Sequence, residues 1–111
     1  MLRTTVAALV LAASAAVALA ASDAELREAI VDSWGQDAAC STGTLTFNAD
    51  GTFALARPDR NETGTWAIAG GMLTGTTSDG STRPEVEVSF EADAMSFKNR
   101  SGEDKFVRCE P

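Results

Sequence analysis

Thr63-Gly64-Thr65-Trp66-Ala67-Ile68-Ala69-Gly70-Gly71-Met72-Leu73-Thr74-Gly75-Thr76 reads as two short strands joined at Gly70-Gly71. Side chains alternate along a strand, so Trp66 and Ile68 share one face. Two adjacent glycines supply the positive φ angles of a tight hairpin turn. Leu73 returns on the second strand, opposite Ile68 or beside it.

Further strands extend the pattern on both sides. Upstream, Thr44 to Asn48 carries Leu45 and Phe47 on one face. Asn48-Ala49-Asp50-Gly51 is a turn with Gly51 in the left-handed position, and Thr52 to Arg57 returns with Phe53 and Leu55 inward. Pro58 to Glu62 reads as a charged loop. Downstream, Thr77 to Pro84 is a polar loop. Glu85 to Phe90 then alternates, with Val86, Val88 and Phe90 inward and Glu85 and Glu87 outward. Ala94 to Asn99 places Met95 and Phe97 inward. Lys105 to Cys109 is the last strand, read with Val107 and Cys109 on the inner face and Phe106 on the other.

Ahead of the strands, Ser22 and Glu25 have capping-box spacing. Leu26, Ile30 and Trp34 follow at i, i+4 and i+8, and Gly35 is a natural stop. This predicts a helix from Asp23 to about Trp34. The whole is mainly β: an antiparallel up-and-down meander or small barrel of about seven strands with one N-terminal helix.

Leu45-Thr46-Phe47-Asn48-Ala49-Asp50-Gly51-Thr52-Phe53, then Gly64-Thr65-Trp66, then Gly71-Met72-Leu73-Thr74-Gly75 resemble the strand, Asp-Gly turn, Gly-x-Trp strand and Leu-Thr strand of small bacterial lipocalin-like exported domains. The resemblance spans about a third of the mature chain by these motifs. It implies a meander barrel and an apolar ligand, and carries over no catalytic residue.

Residues 1–20 read as a secretory signal. Arg3 gives a positive start, Val6 to Leu19 is an apolar run, and Ala18-Leu19-Ala20 ends in small residues. Cleavage is expected between Ala20 and Ala21. The run is short for a membrane span, so no stable anchor is expected after cleavage. Ala21 to Pro111 remains as one domain, in the periplasm or secreted from a bacterium. Its two cysteines, Cys40 and Cys109, are expected to form a disulfide in that compartment. The full chain has a formal charge of −7, which disfavours nucleic acid and anionic membrane surfaces as partners.

The chemistry left open is narrow. Histidine is absent, which removes Ser-His and Cys-His nucleophile systems and the usual zinc sites. Glu85 and Glu87 lie on the solvent face of their strand rather than in a cleft. Asn48 to Gly51 fails as a calcium loop, because Arg57 stands where a glutamate is needed. The sequons Asn61-Glu62-Thr63 and Asn99-Arg100-Ser101 are chance-level matches in a bacterial export product. Lys98, Arg100, Lys105 and Arg108 form a basic group expected to pair with Glu103, Asp104 and Glu110. No metal, cofactor or catalytic residue is expected.

Trp34, Phe47, Trp66 and Phe97 are the candidate ligand-binding residues. They line a pocket or fill the barrel; a small barrel has room for side chains or one small ligand. In so short a chain filling is the default, with a shallow opening near the helix as the alternative. The expected function is a monomeric, non-enzymatic exported domain binding a small apolar ligand or a periplasmic protein. The alternative is a periplasmic inhibitor of a hydrolase, a protease or lysozyme, presenting Pro58 to Glu62 or Thr77 to Pro84 to the enzyme cleft.

Overall fold

The computed structural model describes residues 21–110. Ala20 and the apolar run before it lie outside them. The order of elements is α1 (Asp23–Ile30), β1 (Ser33–Gly35), β2 (Thr44–Phe47), β3 (Thr52–Arg57), β4 (Arg60–Ala69), β5 (Met72–Thr77), β6 (Val86–Glu91), β7 (Ala94–Asn99) and β8 (Gly102–Arg108). The strands form one closed antiparallel barrel in chain order, with β8 returning to β1.

The Gly70-Gly71 hairpin forms as read. Both glycines have positive φ (61° and 78°), and Ile68 faces Leu73 across the ladder. Ile68 and Leu73 are buried with Phe47, Phe53, Val88 and Met95. Gly64 permits the close packing of this region: a Cβ there would stand 2.8 Å from the Phe53 ring.

The helix is shorter than predicted. It ends at Ile30, and Val31 is already extended. Trp34 belongs instead to β1, an eighth strand that the periodicity concealed. From there its indole reaches back and donates to the Ile30 carbonyl at 2.9 Å. The side chain thus satisfies a carbonyl at the helix end while sitting on the adjoining strand. β1 is only three residues long, yet it completes the ring. Trp34 pairs with Leu45 of β2 on one side and Arg108 of β8 on the other.

Two other boundaries shift. Pro58-Asp59 is a tight turn, because Arg57 pairs with Arg60 and β4 begins there. β8 begins at Gly102 and its inner face is opposite to that predicted. Phe106 packs on Phe97 with ring centroids 4.9 Å apart, whereas Cys109 lies beyond the strand.

Cys40 and Cys109 are joined in a disulfide with Cα atoms 5.6 Å apart. It lies beside β1: Cys109 N donates to Ser33 O at 2.9 Å, and Glu110 N donates to Ala38 O at 2.8 Å. A Cβ on Gly35 would stand 2.5 Å from the Cys40 sulfur, so glycine there seats the bridge.

Helix α1 lies over the end of the barrel that carries the β4–β5 turn. Leu26 and Ile30 are buried, and the Arg27 guanidinium donates to Ile68 O at 2.8 Å. The capping box is present, Ser22 and Glu25 each accepting the other's backbone N–H. Asp23 adds a tertiary tie, its carboxylate accepting from Gly70 N and Gly71 N at 2.8 and 2.9 Å.

These bonds, first that from Gly70 and then that from Gly71, hold the Asp23 carboxyl below the ordinary aspartate range. A lowered folded-state pKa stabilises the fold above the unfolded value, roughly 3.9, and that stabilisation is lost as pH falls through the folded value. Asp23→Asn should therefore lower the thermal midpoint near neutrality, and the gap from wild type should close in acid. Melting both proteins at about pH 7 and about pH 2 checks this. A gap independent of pH would show that the carboxylate charge is not what ties the helix to the hairpin.

Candidate functional site

The interior is filled at one end and open at the other. At the helix end, Leu26, Ile30, Trp34 and Met95 are buried and close the barrel. Among the described residues this end is packed, as the default expectation had it, and the cavity that does exist lies away from the helix. At the far end, by the β3–β4 and β7–β8 turns, a cavity of about 320 Å³ enters the barrel. Its size is at the lower end of the usual range of about 300–1,000 Å³ for small-molecule sites.

The walls follow from strand alternation. Leu45 and Phe47 of β2, Phe53 and Leu55 of β3, Trp66 of β4 and Leu73 of β5 point inward, and Phe97 and Phe106 face them from β7 and β8. Phe47 meets Trp66 edge-on with ring centroids 5.8 Å apart and Phe53 at 6.4 Å. Trp66 is fixed by donation from its indole to Asn48 O at 3.1 Å. Tilted and edge-to-face contacts of this kind are favourable aromatic geometries, and they leave apolar ring surface on the cavity wall.

One seam of the wall is thin. β5 and β6 share just two residue pairs, Met72–Glu87 and Leu73–Val86. The upper part of β5 is covered instead by the connecting loop, through the Thr76–Thr82 bridge and donation from Arg83 N to Gly75 O at 2.8 Å. Gly75, Arg83, Pro84 and Val86 accordingly join the cavity lining.

Of the four ligand-binding candidates, Phe47, Trp66 and Phe97 are brought together around this cavity. Trp34 is not among its lining. It is fully buried (0 % exposed) beneath the helix, 5.7 Å from the Phe90 ring and with the Arg108 guanidinium 4.5 Å from its own ring centroid.

The cavity mouth holds residues that the sequence reading passed over. Arg57, Arg60 and Arg83 line it, with Asn99 and Asp104. Arg60 and Arg83 both grip Glu62, Arg60 Nε at 3.2 Å. The inward parity of Trp66 and Ile68, continued back along β4 to Gly64, Glu62 and Arg60, was the signal available for Arg60 and its partner Glu62.

The basic group of the last hairpin behaves differently from expectation. Arg108 pairs with Asp32 at 2.6 Å and with Asp93 at 3.5 Å, rather than with Glu103, Asp104 or Glu110. Among the described residues, Lys98, Arg100 and Lys105 make no salt bridge.

The carboxyls pushed clearly from their ordinary range all go down, and all lie in caps or turns. Besides Asp23, Glu25 is lowered chiefly by the Ser22 backbone, and Asp37, Asp50 and Asp79 by the hydroxyls of Ser41, Thr52 and Thr77. Among the described residues no group of three His, Cys, Asp or Glu is placed to hold a metal ion. A small disulfide-bonded barrel of this kind is consistent with a location outside the cytoplasm. Neither protein-family models, curated proteins nor solved structures match this chain.

Proposed function

We propose that this chain is a small exported, non-enzymatic barrel that binds an apolar ligand in the open-ended cavity. The observation that carries the reading is the enclosure of one continuous apolar space by Phe47, Trp66, Phe97 and Phe106 inside a barrel whose other end is sealed. Burial of apolar surface supplies roughly 25 cal/mol per Å² before the losses of association. The export signal and the acidic surface fit a soluble carrier outside the cytoplasm.

Gly75 provides the test. Its φ is ordinary, and a Cβ there would meet Phe53 and Arg83 at 3.6 and 3.7 Å, plain van der Waals contact. A Gly75→Leu side chain would start from an uncrowded Cβ within the cavity lining and take up cavity space. The neutral dye Nile red should bind the wild-type protein with a rise in its emission and a change in Trp66 fluorescence. Gly75→Leu, folded by circular dichroism, should bind it at least about tenfold more weakly, the equivalent of about 1.4 kcal/mol. Equal binding by both proteins would place the dye elsewhere and remove the reading.

A hydrolase inhibitor is the second reading, favoured by one feature. The Thr77-to-Pro84 loop is exposed but internally tied: Asp79 accepts from the Thr77 hydroxyl and from Ser81 N, and the Ser78 and Thr63 hydroxyls meet at 2.7 Å. Rigid exposed loops suit insertion into an enzyme cleft. Inhibition assays against proteases and lysozyme, with Asp79→Ala as the loosened control, separate this reading from the first.

A further inference from the structure

We propose that the ligand is an amphipathic monoanion, its apolar body in the barrel and its carboxylate or similar headgroup on Arg57. This rests on the cavity reading above and names the chemistry of the occupant. Three guanidiniums crowd one rim of an apolar cavity in a chain whose net charge is −7. They are not equivalent. Arg60 and Arg83 are committed to Glu62, which sits between them. Arg57 has no carboxylate within salt-bridge distance among the described residues.

The position of Arg57 is built by its neighbours. It follows Phe53 and Leu55 on the inner parity of β3, so its side chain leaves the barrel along the cavity wall. Its stem lies against Gly43, where a Cβ would come within 2.9 Å of Arg57 Cγ; glycine leaves that space to the arginine. Asp104 stands in the same lining on β8, and a headgroup that avoids it is directed toward the β3 side. Glu62 already neutralises part of the remaining positive charge, so one anionic group, not several, matches the mouth. Arginine suits the task because its planar fork donates two parallel hydrogen bonds to a carboxylate. An alcohol of equal chain length offers the same apolar contact without the charge.

Decanoate and 1-decanol are therefore the informative pair, read by displacement of Nile red from the wild-type protein and from Arg57→Met. Methionine keeps the apolar stem and removes the guanidinium from an exposed position. Decanoate is expected to displace the dye about tenfold more effectively than decanol from wild type, with that advantage shrinking as salt is raised. In Arg57→Met the two should become equal while decanol is unchanged. Equal displacement by both compounds from wild type, at low salt, overturns the anionic headgroup and leaves the apolar cavity standing. Failure of Nile red and of both compounds to bind overturns the cavity reading together with this one.

Discussion

Replacing Trp34 with alanine is expected to destabilise the protein by about 3–5 kcal/mol, the range for removing a buried tryptophan. Against a typical total of about 5–15 kcal/mol, such a loss leaves much of a small domain unfolded. The magnitude follows from where the ring sits. Trp34 is completely buried, packs on Phe90, and donates to the Ile30 carbonyl at 2.9 Å. It also carries the Arg108 guanidinium on its face, and Arg108 in turn bonds Asp32 and reaches Asp93. One side chain thus joins the helix end, the first strand and the last strand. Trp34→Phe keeps most of the volume and loses the N–H, so a smaller drop of about 1 kcal/mol is expected beyond any packing change. Urea titrations followed by far-ultraviolet circular dichroism check both. A loss below about 1 kcal/mol for the alanine variant would mean that the helix end is not held by this contact.

The second large effect is that of the disulfide. Cys40 and Cys109 are 69 positions apart, and closing a loop of that size restricts the unfolded chain by about 4 kcal/mol in the entropic account. Reduction, or the paired change to serine, should lower the unfolding midpoint accordingly. The loss should also have a location. The bridge flanks β1, which is only three residues long and held by two residue pairs on each side. Amide exchange in the reduced protein should accelerate first in β1 and at the facing end of β8, before the β3–β4 and β4–β5 ladders. Uniform acceleration throughout the barrel would instead indicate that the bridge acts on the unfolded chain alone.

The parts of the fold that were legible in sequence are those where one physical signal dominates. Gly70-Gly71 admits the positive φ of a tight turn, and strict alternation marks Val86, Val88 and Phe90. The paired cysteines and the Ser22–Glu25 cap were equally direct. The first strand was hidden because two periodicities coincide. Leu26, Ile30 and Trp34 have helical spacing, and Trp34 does lie near Ile30, but it gets there by folding back from a strand. The inner face of β8 was misread because polar residues line the open end of the barrel. Asp104 and Phe106 share that face, so the hydrophobic alternation fails just where the interior meets water. The same reason concealed the mouth. Arg60 fell within the stretch read as a charged loop, and Arg57 closed its strand without an assigned role, because the inner face there is charged. The three aromatic candidates around the cavity were found because they lie deeper, where alternation still reports burial.

The shortness of β1 also bears on behaviour at high concentration. A circle of paired strands offers no bare backbone rim to another molecule, whereas a broken circle offers two. If the three-residue stave from Ser33 to Gly35 slips out, the flanks of β2 and β8 become sticky borders able to recruit the same borders of a second copy. Sulfur oxidation beside that stave would then guard against polymer growth as much as against unfolding.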